Sequence, residues 1–546
     1  MEPTLDNYEF DASNSFNPIT EGSTLKDTYF KDKPYLDKQI LELKDLNNNS
    51  SDYSMNQVHF NTINIGSSSR YINFRDAVLS IPVVVIVSRK SISTDAGDIT
   101  AVADSLKTSG SYFNFKPGNE LLIHGLKIDY GNESILQERI NIAPYLVFKS
   151  HTERSVNDIE LCNDGYYKPN NEWSYDETSG TKNFTNNQKF PSNFYVSNTA
   201  KQKVVKYTSM KDLGVNYVEE YTKTDVKELI YYYDALIPLK NLPFFNEMPL
   251  MKGSNIDITI TLNQATTTLS QAATGVISNV NNILKGGFNP IYRNTTLKDD
   301  STLEYLNKEF IETISLSVGQ GMSIVEPGKL HVHTMKNCRL FIPTIVMNYA
   351  LETQYLSLGQ KKVIYEDITF RNIQKVGDGH FDYEITNSTP NMKKLLVVPI
   401  LSAESNNTAG ATKYTPAETV FSFSPSICSP HNIKNFNVQI AGVNVYTSQM
   451  NYKYNNFLME LNGQQGVNGN RDYGMSSGLI NLQDYVNTYG YFCIDLSRRT
   501  KEDVDKPFSL RISGDNNGQK SLDFLCYLTV QKEAIFDIST GIIQSK

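Results

Sequence analysis

Residues 225–263, DVKELIYYYDALIPLKNLPFFNEMPLMKGSNIDITITLN, constrain the fold more than any other part of the chain. They end in Ile256-Asp257-Ile258-Thr259-Ile260-Thr261-Leu262, a strict apolar/polar alternation. A period of two places every apolar side chain on one face, so this is a strand with one side in a core. Upstream, Pro238, Pro243 and Pro249 interrupt an apolar run of Leu239, Leu242, Phe244, Phe245, Met248, Leu250 and Met251. Proline removes a ladder donor and fixes φ, which rules out a regular helix or a central strand here. The plainest reading is a buried connection between strands, because so much apolar surface on an irregular segment has to be covered. Pro238–Met251 is therefore expected between two domains or inside an oligomer, with Lys252 and Gly253 turning the chain back into a strand.

At 546 residues the chain exceeds what one core organises, so at least two domains are expected. Its 33 Tyr, 26 Phe, 31 Gly and 20 Pro, with short apolar runs bounded by turn residues, argue for an all-β class. No apolar run approaches the ~20 residues that a membrane-crossing helix needs, so no transmembrane segment is expected. Met1–Ser50 has no charged stretch followed by an apolar one, so no secretory signal is expected either. The five cysteines are scattered at 162, 338, 428, 493 and 526, which is neither a disulfide framework nor a zinc pattern and suits a reducing compartment. The net charge of −8, with no basic block in the first fifty residues, argues against direct or sequence-specific nucleic-acid binding.

In chain order, residues 1–55 are polar and aperiodic and read as an N-terminal arm, with one short helix over Leu36–Asp45. Strand signals follow at Val58–Ile65 and at Tyr71–Leu79, running into Ile81-Pro82-Val83-Val84-Val85-Ile86-Val87, where Pro82 predicts an edge or bulge position. A short helix is expected over Ile99–Leu106, a glycine-interrupted strand over Leu121–Tyr130 and a helical stretch over Ser134–Lys149. Residues 151–221 form a long polar tract with the one tryptophan, Trp173, and read as a surface excursion. Gln264–Asp300 reads as a connector, after which strands resume at Phe310–Val318, Cys338–Met347, Val363–Phe370, Leu395–Leu401, Leu510–Ile512 and Phe524–Val530.

Two signatures recur in order. Arginine, apolar residues, Ile-Pro and β-branched residues occur at Arg75–Val85 and again at Arg339–Val346. A strand with a central glycine occurs at Ile123-His124-Gly125-Leu126-Lys127-Ile128 and again at Ile440-Ala441-Gly442-Val443-Asn444-Val445, the latter leading to a helix over Tyr454–Leu461. The pattern suggests a duplicated β-domain. Three stretches carry a wider likeness: Leu239–Gly253, Phe436–Val445 and Phe492-Cys493-Ile494-Asp495-Leu496-Ser497-Arg498-Arg499. On these the chain resembles the double jelly-roll major capsid proteins of the virophage and polinton-like DNA viruses, from about Asn56 to Gly541. The resemblance implies an all-β fold of two tandem eight-stranded jelly rolls with small loop helices. It divides the chain into an arm (1–55), a first jelly roll (56–265) with the polar loop around 151–221, a connector (266–309) and a second jelly roll (310–546). It further implies a homotrimer of pseudo-hexagonal outline, neighbouring capsomers, minor or penton capsid proteins as partners, and a place in the virion shell around a DNA genome.

Catalytic and ligand chemistry is sparse. His331 and His333 share one strand face, half of a metal site, but no third ligand accompanies them. Gly463–Gly469 is glycine-rich but lacks the lysine and the strand–helix context of a phosphate cradle. Nothing in the spacing brings Asp495 and Asp523 together, and Lys501-Glu502-Asp503 reads as a solvated turn. His431 reads as a hydrogen-bonded residue, and Asn132-Glu133-Ser134 as a chance acceptor triplet in an Asn-rich chain. The expectation is a structural protein that is not an enzyme, with no catalytic, cofactor-binding or metal residues and no cofactor. Its rivals are a β-sandwich spike, adhesin or carbohydrate-binding protein, for which Tyr166–Tyr175 is the one aromatic platform, and a β-rich hydrolase.

Overall fold

A computed structural model of the chain describes residues 35–46, 57–66, 70–89, 111–114, 118–131, 133–155, 173–176, 183–186, 228–263, 265–271, 277–279, 291–294, 311–318, 337–357, 359–402, 428, 431–447, 452–463, 476–482, 485, 489–497, 506–518, 521–538 and 540–545. The alternating stretch Ile256–Leu262 forms the strand its period demands, with every apolar side chain buried and every polar one half-exposed. It runs between Gln57–Asn61 and Ile123–Tyr130, and Glu133–Ile140 completes an antiparallel sheet of four, sheet II. Facing it is sheet I, built around Val78–Arg89. Glu228–Pro238 pairs along the whole of one flank of that strand. On the other flank Arg339–Phe341 cover Val78–Ser80, and Ile311–Val318 cover Val83–Arg89. Tyr35–Lys44, Tyr71–Ile72, Ala265–Gln271 and Ile277–Asn279 extend sheet I. Leu79, Ile81, Val83, Leu340 and Ile342 of sheet I share one core with Val58, Phe60, Leu126, Ile128, Ile258 and Ile260 of sheet II.

A second sandwich follows in the chain. Sheet III runs Gln360–Val376, Leu522–Asp537, Met392–Leu401, Phe492–Asp495, with Ile543–Ser545 on the far half of Leu522–Asp537. Sheet IV runs Gly379–Thr389, Phe508–Asn516, Ile433–Ile440, Val443–Asn444. Phe381, Val438, Leu510 and Ile512 of sheet IV meet Leu395, Val397, Phe524, Cys526 and Leu528 of sheet III in their own core. Among the described residues, three helices of two or more turns punctuate the strands: α1 (Ala143–Glu153), α2 (Tyr349–Ser357) and α3 (Tyr454–Gly463).

The architecture is the expected all-β one, but several local expectations give way. Tyr35–Lys44 is a strand, not a helix in a free arm: it pairs along its length with Arg339–Met347, with one register shift between Tyr35 and Asp37. Glu133–Ile140 is likewise a strand, and the helix expected from Ser134 starts at Ala143, where Pro144 sets the first-turn φ. Pro82 lies in a doubly flanked strand rather than at an edge. It sits where one neighbour gives way to the next, since Ser80 faces Arg339 and Val83 faces Val318, a place where a missing N–H breaks no ladder on that flank. The connector expected over 266–309 contributes Ala265–Gln271 to sheet I. Ile311–Val318 and Arg339–Met347, expected in a second domain starting at 310, also pair in sheet I. The strands of the second sandwich begin at Gln360. The Ile-Pro echo therefore marks neighbours in one sheet rather than equivalent strands of two domains. The glycine echo differs too: Gly125 lies within a strand, whereas Ala441 and Gly442, both at positive φ, make the turn of a hairpin. The expected helix over Ile99–Leu106 lies outside the described residues.

Candidate functional site

The most elaborated region of the molecule is the seam between the two sandwiches, and the proline-broken run lies in it. Val530 marks a change of role along Leu522–Asp537. Before it, Phe524, Cys526 and Leu528 enter the second core while Leu525 and Tyr527 point the other way, into the first. Beyond it, Ala534 and Phe536 join the first core as well. A strand buried on both faces explains why Phe524–Val530 reads as a nearly continuous apolar run. Phe244 and Phe245 are 3% and 0% exposed, as expected for a covered segment. The Phe244 ring stands edge-on to Tyr365 at 5.2 Å and parallel to Phe536 at 6.2 Å, both from the second sandwich.

Polar groups in the seam are matched across it. Tyr527 Oη donates to the Asn141 carbonyl at 2.8 Å, and Tyr145 Oη to Glu366 Oε2 at 3.4 Å. Lys394 Nζ donates to the same carboxylate oxygen at 2.9 Å. Burial works against a charge on Lys394, but Tyr145 and Glu366 outweigh it and hold the ammonium well above its ordinary range. The same burial would raise Glu366, and Lys394 reverses it, keeping the carboxyl below the usual range. Around this pair a cavity of about 520 Å³ opens between the sandwiches, lined by Tyr145, Lys149, Glu247, Glu366, Lys394 and Leu461 among others. At the end of α1, Glu120 is 3% exposed. It accepts from Arg154 Nη2 at 3.1 Å and Asn241 Nδ2 at 3.0 Å, tying the helix to the proline-broken run.

The exit of that run is fastened twice. Met251 exchanges backbone hydrogen bonds with Ile72, and Tyr355 Oη of α2 donates to the Leu250 carbonyl at 2.9 Å. Lys252 pairs with Glu352 and sits 4.5 Å above the Tyr71 ring. Lys252 and Gly253 do turn the chain towards Ile256–Leu262, and Gly253 meets Gly541 of the C-terminal segment there. Both have positive φ (67° and 69°). A methyl on Gly541 would overlap the Lys252 carbonyl oxygen, and one on Gly253 would lie 2.9 Å from the Thr540 oxygen. Gly541→Ala is expected to cost at least ~1 kcal/mol, from the left-handed backbone alone, before any repacking. A thermal melt of the purified variant checks it.

Among the described residues, the one carboxylate pair weighed from sequence, Asp495 and Asp523, is not brought together. Asp495 lies opposite Lys394 and Asp523 opposite Ile400, on the two flanks of one strand. At ~3.3 Å per residue they are about 20 Å apart. Asp495 accepts from the Ser497 amide and hydroxyl, and Asp523 from the Lys375 amide. His431 Nε2 is 2.7 Å from the Gly490 carbonyl, so the residue is hydrogen-bonded, and its partner is backbone. Asn132 lies outside the described residues. His331, His333, residues 464–469 and 501–503, and most of Tyr166–Tyr175 lie outside the described residues. Among the described residues no three His, Cys, Asp or Glu cluster as metal ligands, and no helix is long and apolar enough to cross a membrane. Cys428 and Cys526 are buried, which pushes their thiols up, away from the reactive thiolate.

No family model and no curated sequence matches the chain. Solved structures do. A chain of the Sputnik virophage, determined by cryo-EM, aligns over 95% of this chain and 90% of its own length at 10% identity, with a TM-score of 0.50. The fold is the double jelly roll. The mavirus major capsid protein (8% identity, 95% and 92% covered, TM-score 0.43) and the Faustovirus major capsid protein (9%, 93% and 92%, TM-score 0.40) are also similar. In this double jelly roll the two sandwiches are sheets I with II and III with IV, and the seam is the back of sheet III against the first sandwich. Sequence reasoning found the proline-broken run but not Glu120, Arg154 or His151, since no local pattern marks residues that meet only in the tertiary structure.

Proposed function

We propose that this chain is the major capsid protein of a DNA virus, assembling as homotrimers of pseudo-hexagonal outline that tile an icosahedral shell. The observation that carries the reading is the double jelly roll itself, alike along 95% of the chain to a chain of the Sputnik virophage. Two sandwiches fastened side by side give each copy two similar but distinct lobes. Three copies about a closed threefold then present six, which a lattice of hexagons accepts. Fixed lobe geometry is what such a lattice requires, and the buried seam supplies it. Interfaces of this obligate kind bury on the order of 2,000 Å² or more. Minor and penton proteins would complete the vertices, the location is the virion, and the role calls for no catalysis and no cofactor. The net charge of −8 fits a shell whose genome is neutralised by other proteins.

Native mass measurement and electron microscopy of the purified chain test the reading. The expected result is a particle of three 61.6 kDa chains with a hexagonal outline. A stable monomer at micromolar concentration would overturn it, and would return the spike or carbohydrate-binding reading to consideration.

A further inference from the structure

Among the described residues, the glycines at positive φ fall into two kinds. A Cβ built on Gly131, Gly359, Gly379 or Gly442 would meet nothing within 4 Å, so the left-handed backbone alone accounts for glycine there. Gly253, Gly478 and Gly541 are instead crowded by the backbone of a different segment, and all three stand where one sandwich meets the other. Gly253 shortly precedes Ile256–Leu262 of sheet II, and Gly541 shortly follows Leu522–Asp537 of sheet III. A methyl on Gly541 would lie 2.6 Å from the Gly253 carbonyl carbon. Carbon atoms rest about 3.5–4.0 Å apart, so the two backbones would have to part by about 1 Å. Both are held close to the crossing. Met251 is bonded to Ile72, and the Ile538 amide donates to the Gly359 carbonyl at 3.2 Å. The Ile538 side chain is buried among Tyr71, Leu250, Ile345, Met347 and Tyr355.

The second crossing is at α1, which follows the last strand of sheet II. Gly478 lies in the chain between α3 and Phe492–Asp495 of sheet III. A methyl on it would come 2.5 Å from both the His151 and the Thr152 carbonyl oxygens. The next amide, that of Leu479, donates to the His151 carbonyl at 2.9 Å and fastens the contact. Side chains packed across the seam, such as Phe244 and Tyr527, can change rotamer to absorb a small shift, whereas two backbones in contact cannot. We propose that these two crossings are stops that set the angle between the sandwiches: at each, glycine lets two backbones touch, and the contact fixes how closely the sandwiches approach there. Two fixed points along one seam leave little freedom for one sandwich to turn on the other. The inference separates two uses of glycine that alanine confuses. Asparagine tolerates the left-handed region better than alanine and is larger. A glycine needed for its backbone alone accepts asparagine more readily than alanine, and a stop rejects it more strongly.

The test compares Gly541→Ala, Gly541→Asn and Gly478→Asn with Gly442→Ala and Gly442→Asn in the full chain, by thermal melting, hydrogen exchange and structure determination. At Gly442 asparagine is expected to melt above alanine, with the sandwiches related as in the wild type. At Gly541 the order should reverse. In Gly541→Asn each sandwich should superpose on the wild type, but the two should stand about 1 Å further apart at the crossing. The Met251 and Ile538 amides should exchange at least about ten-fold faster while residues 522–530 stay protected. Gly478→Asn should displace α1 from residues 476–482 in the same way. Asparagine melting above alanine at 541, or a side chain absorbed by residues 538–541 with the sandwiches unmoved, would overturn the stops. If Gly541→Asn does not fold, Gly253→Ala decides, its methyl being the milder intrusion at 2.9 Å from the Thr540 oxygen. If that also fails to fold, the crossing is a condition of folding and not a stop. One consequence rests on the capsid reading: Gly541→Asn should form trimers but no shells of wild-type size. Failure of that reading shows as a wild-type chain that forms no trimer, and it leaves the measured angle untouched.

Discussion

A chain cut after residue 309 is expected not to fold, although that cut falls where the expected connector (266–309) gives way to the expected second jelly roll. It removes Ile311–Val318 and Arg339–Met347, which cover Val83–Arg89 and Val78–Ser80 on one flank of Val78–Arg89, and Arg339–Met347 is also the only strand with which Tyr35–Lys44 pairs among the described residues. Val318, Cys338, Leu340 and Ile342 leave the first core with them. Each fully buried aliphatic side chain contributes about 1.5–3 kcal/mol, against a net stability of about 5–15 kcal/mol for a whole domain. The same cut bares the seam by taking away Tyr365, Leu525, Tyr527 and Phe536. A longer fragment, 35–357, restores sheet I but still lacks that cover, so it should regain strand signal and aggregate through the exposed apolar face. Far-UV circular dichroism and size-exclusion chromatography of 35–309, 35–357 and the full chain distinguish these states. A cooperative melt from 35–309 would show that sheet I closes without its later strands.

Why the cut looks right in sequence and wrong in structure has a physical cause. Alternation at Ile256–Leu262 is a property of seven consecutive residues, so the strand and its buried face were legible. So was the fate of Pro238–Met251, because prolines and apolar side chains together exclude every alternative but cover. Which sheet a strand joins is a long-range matter. Ile81-Pro82 and Ile342-Pro343 look like copies of one motif, yet Val78–Ser80 and Arg339–Phe341 pair directly in sheet I. Tyr35–Lys44 carries Leu36, Ile40 and Leu43 at helical spacing among good helix formers. An available edge on Arg339–Met347 overrides that preference. The seam was least legible of all. Glu120, Arg154 and Asn241 come from three separate segments, and His151 sits in a helix that nothing local distinguishes.

Phe244→Ala is expected to cost about 3–5 kcal/mol, the range for emptying a buried aromatic site. The ring is 3% exposed and touches Phe245, Tyr365 and Phe536, so its loss opens a void shared by the two sandwiches. The backbone makes the site unusual. Phe244 lies at φ 76° and ψ −45°, a region non-glycine residues seldom occupy, at a cost of about 1–3 kcal/mol. Proline at 243 directs the chain into this turn, and the packed ring holds it there. Alanine keeps the strained backbone and forfeits the ring, whereas glycine forfeits the ring and sheds the strain. Phe244→Gly should therefore be more stable than Phe244→Ala by roughly 1 kcal/mol, the reverse of their order in a helix or strand. At roughly 2–4 °C per kcal/mol for a domain of this size, the alanine variant should melt about 10 °C below the wild type, with glycine a few degrees above it. Equal melting of the two, or glycine the lower, would mean that the backbone at 244 relaxes in solution and that the ring alone fastens the seam.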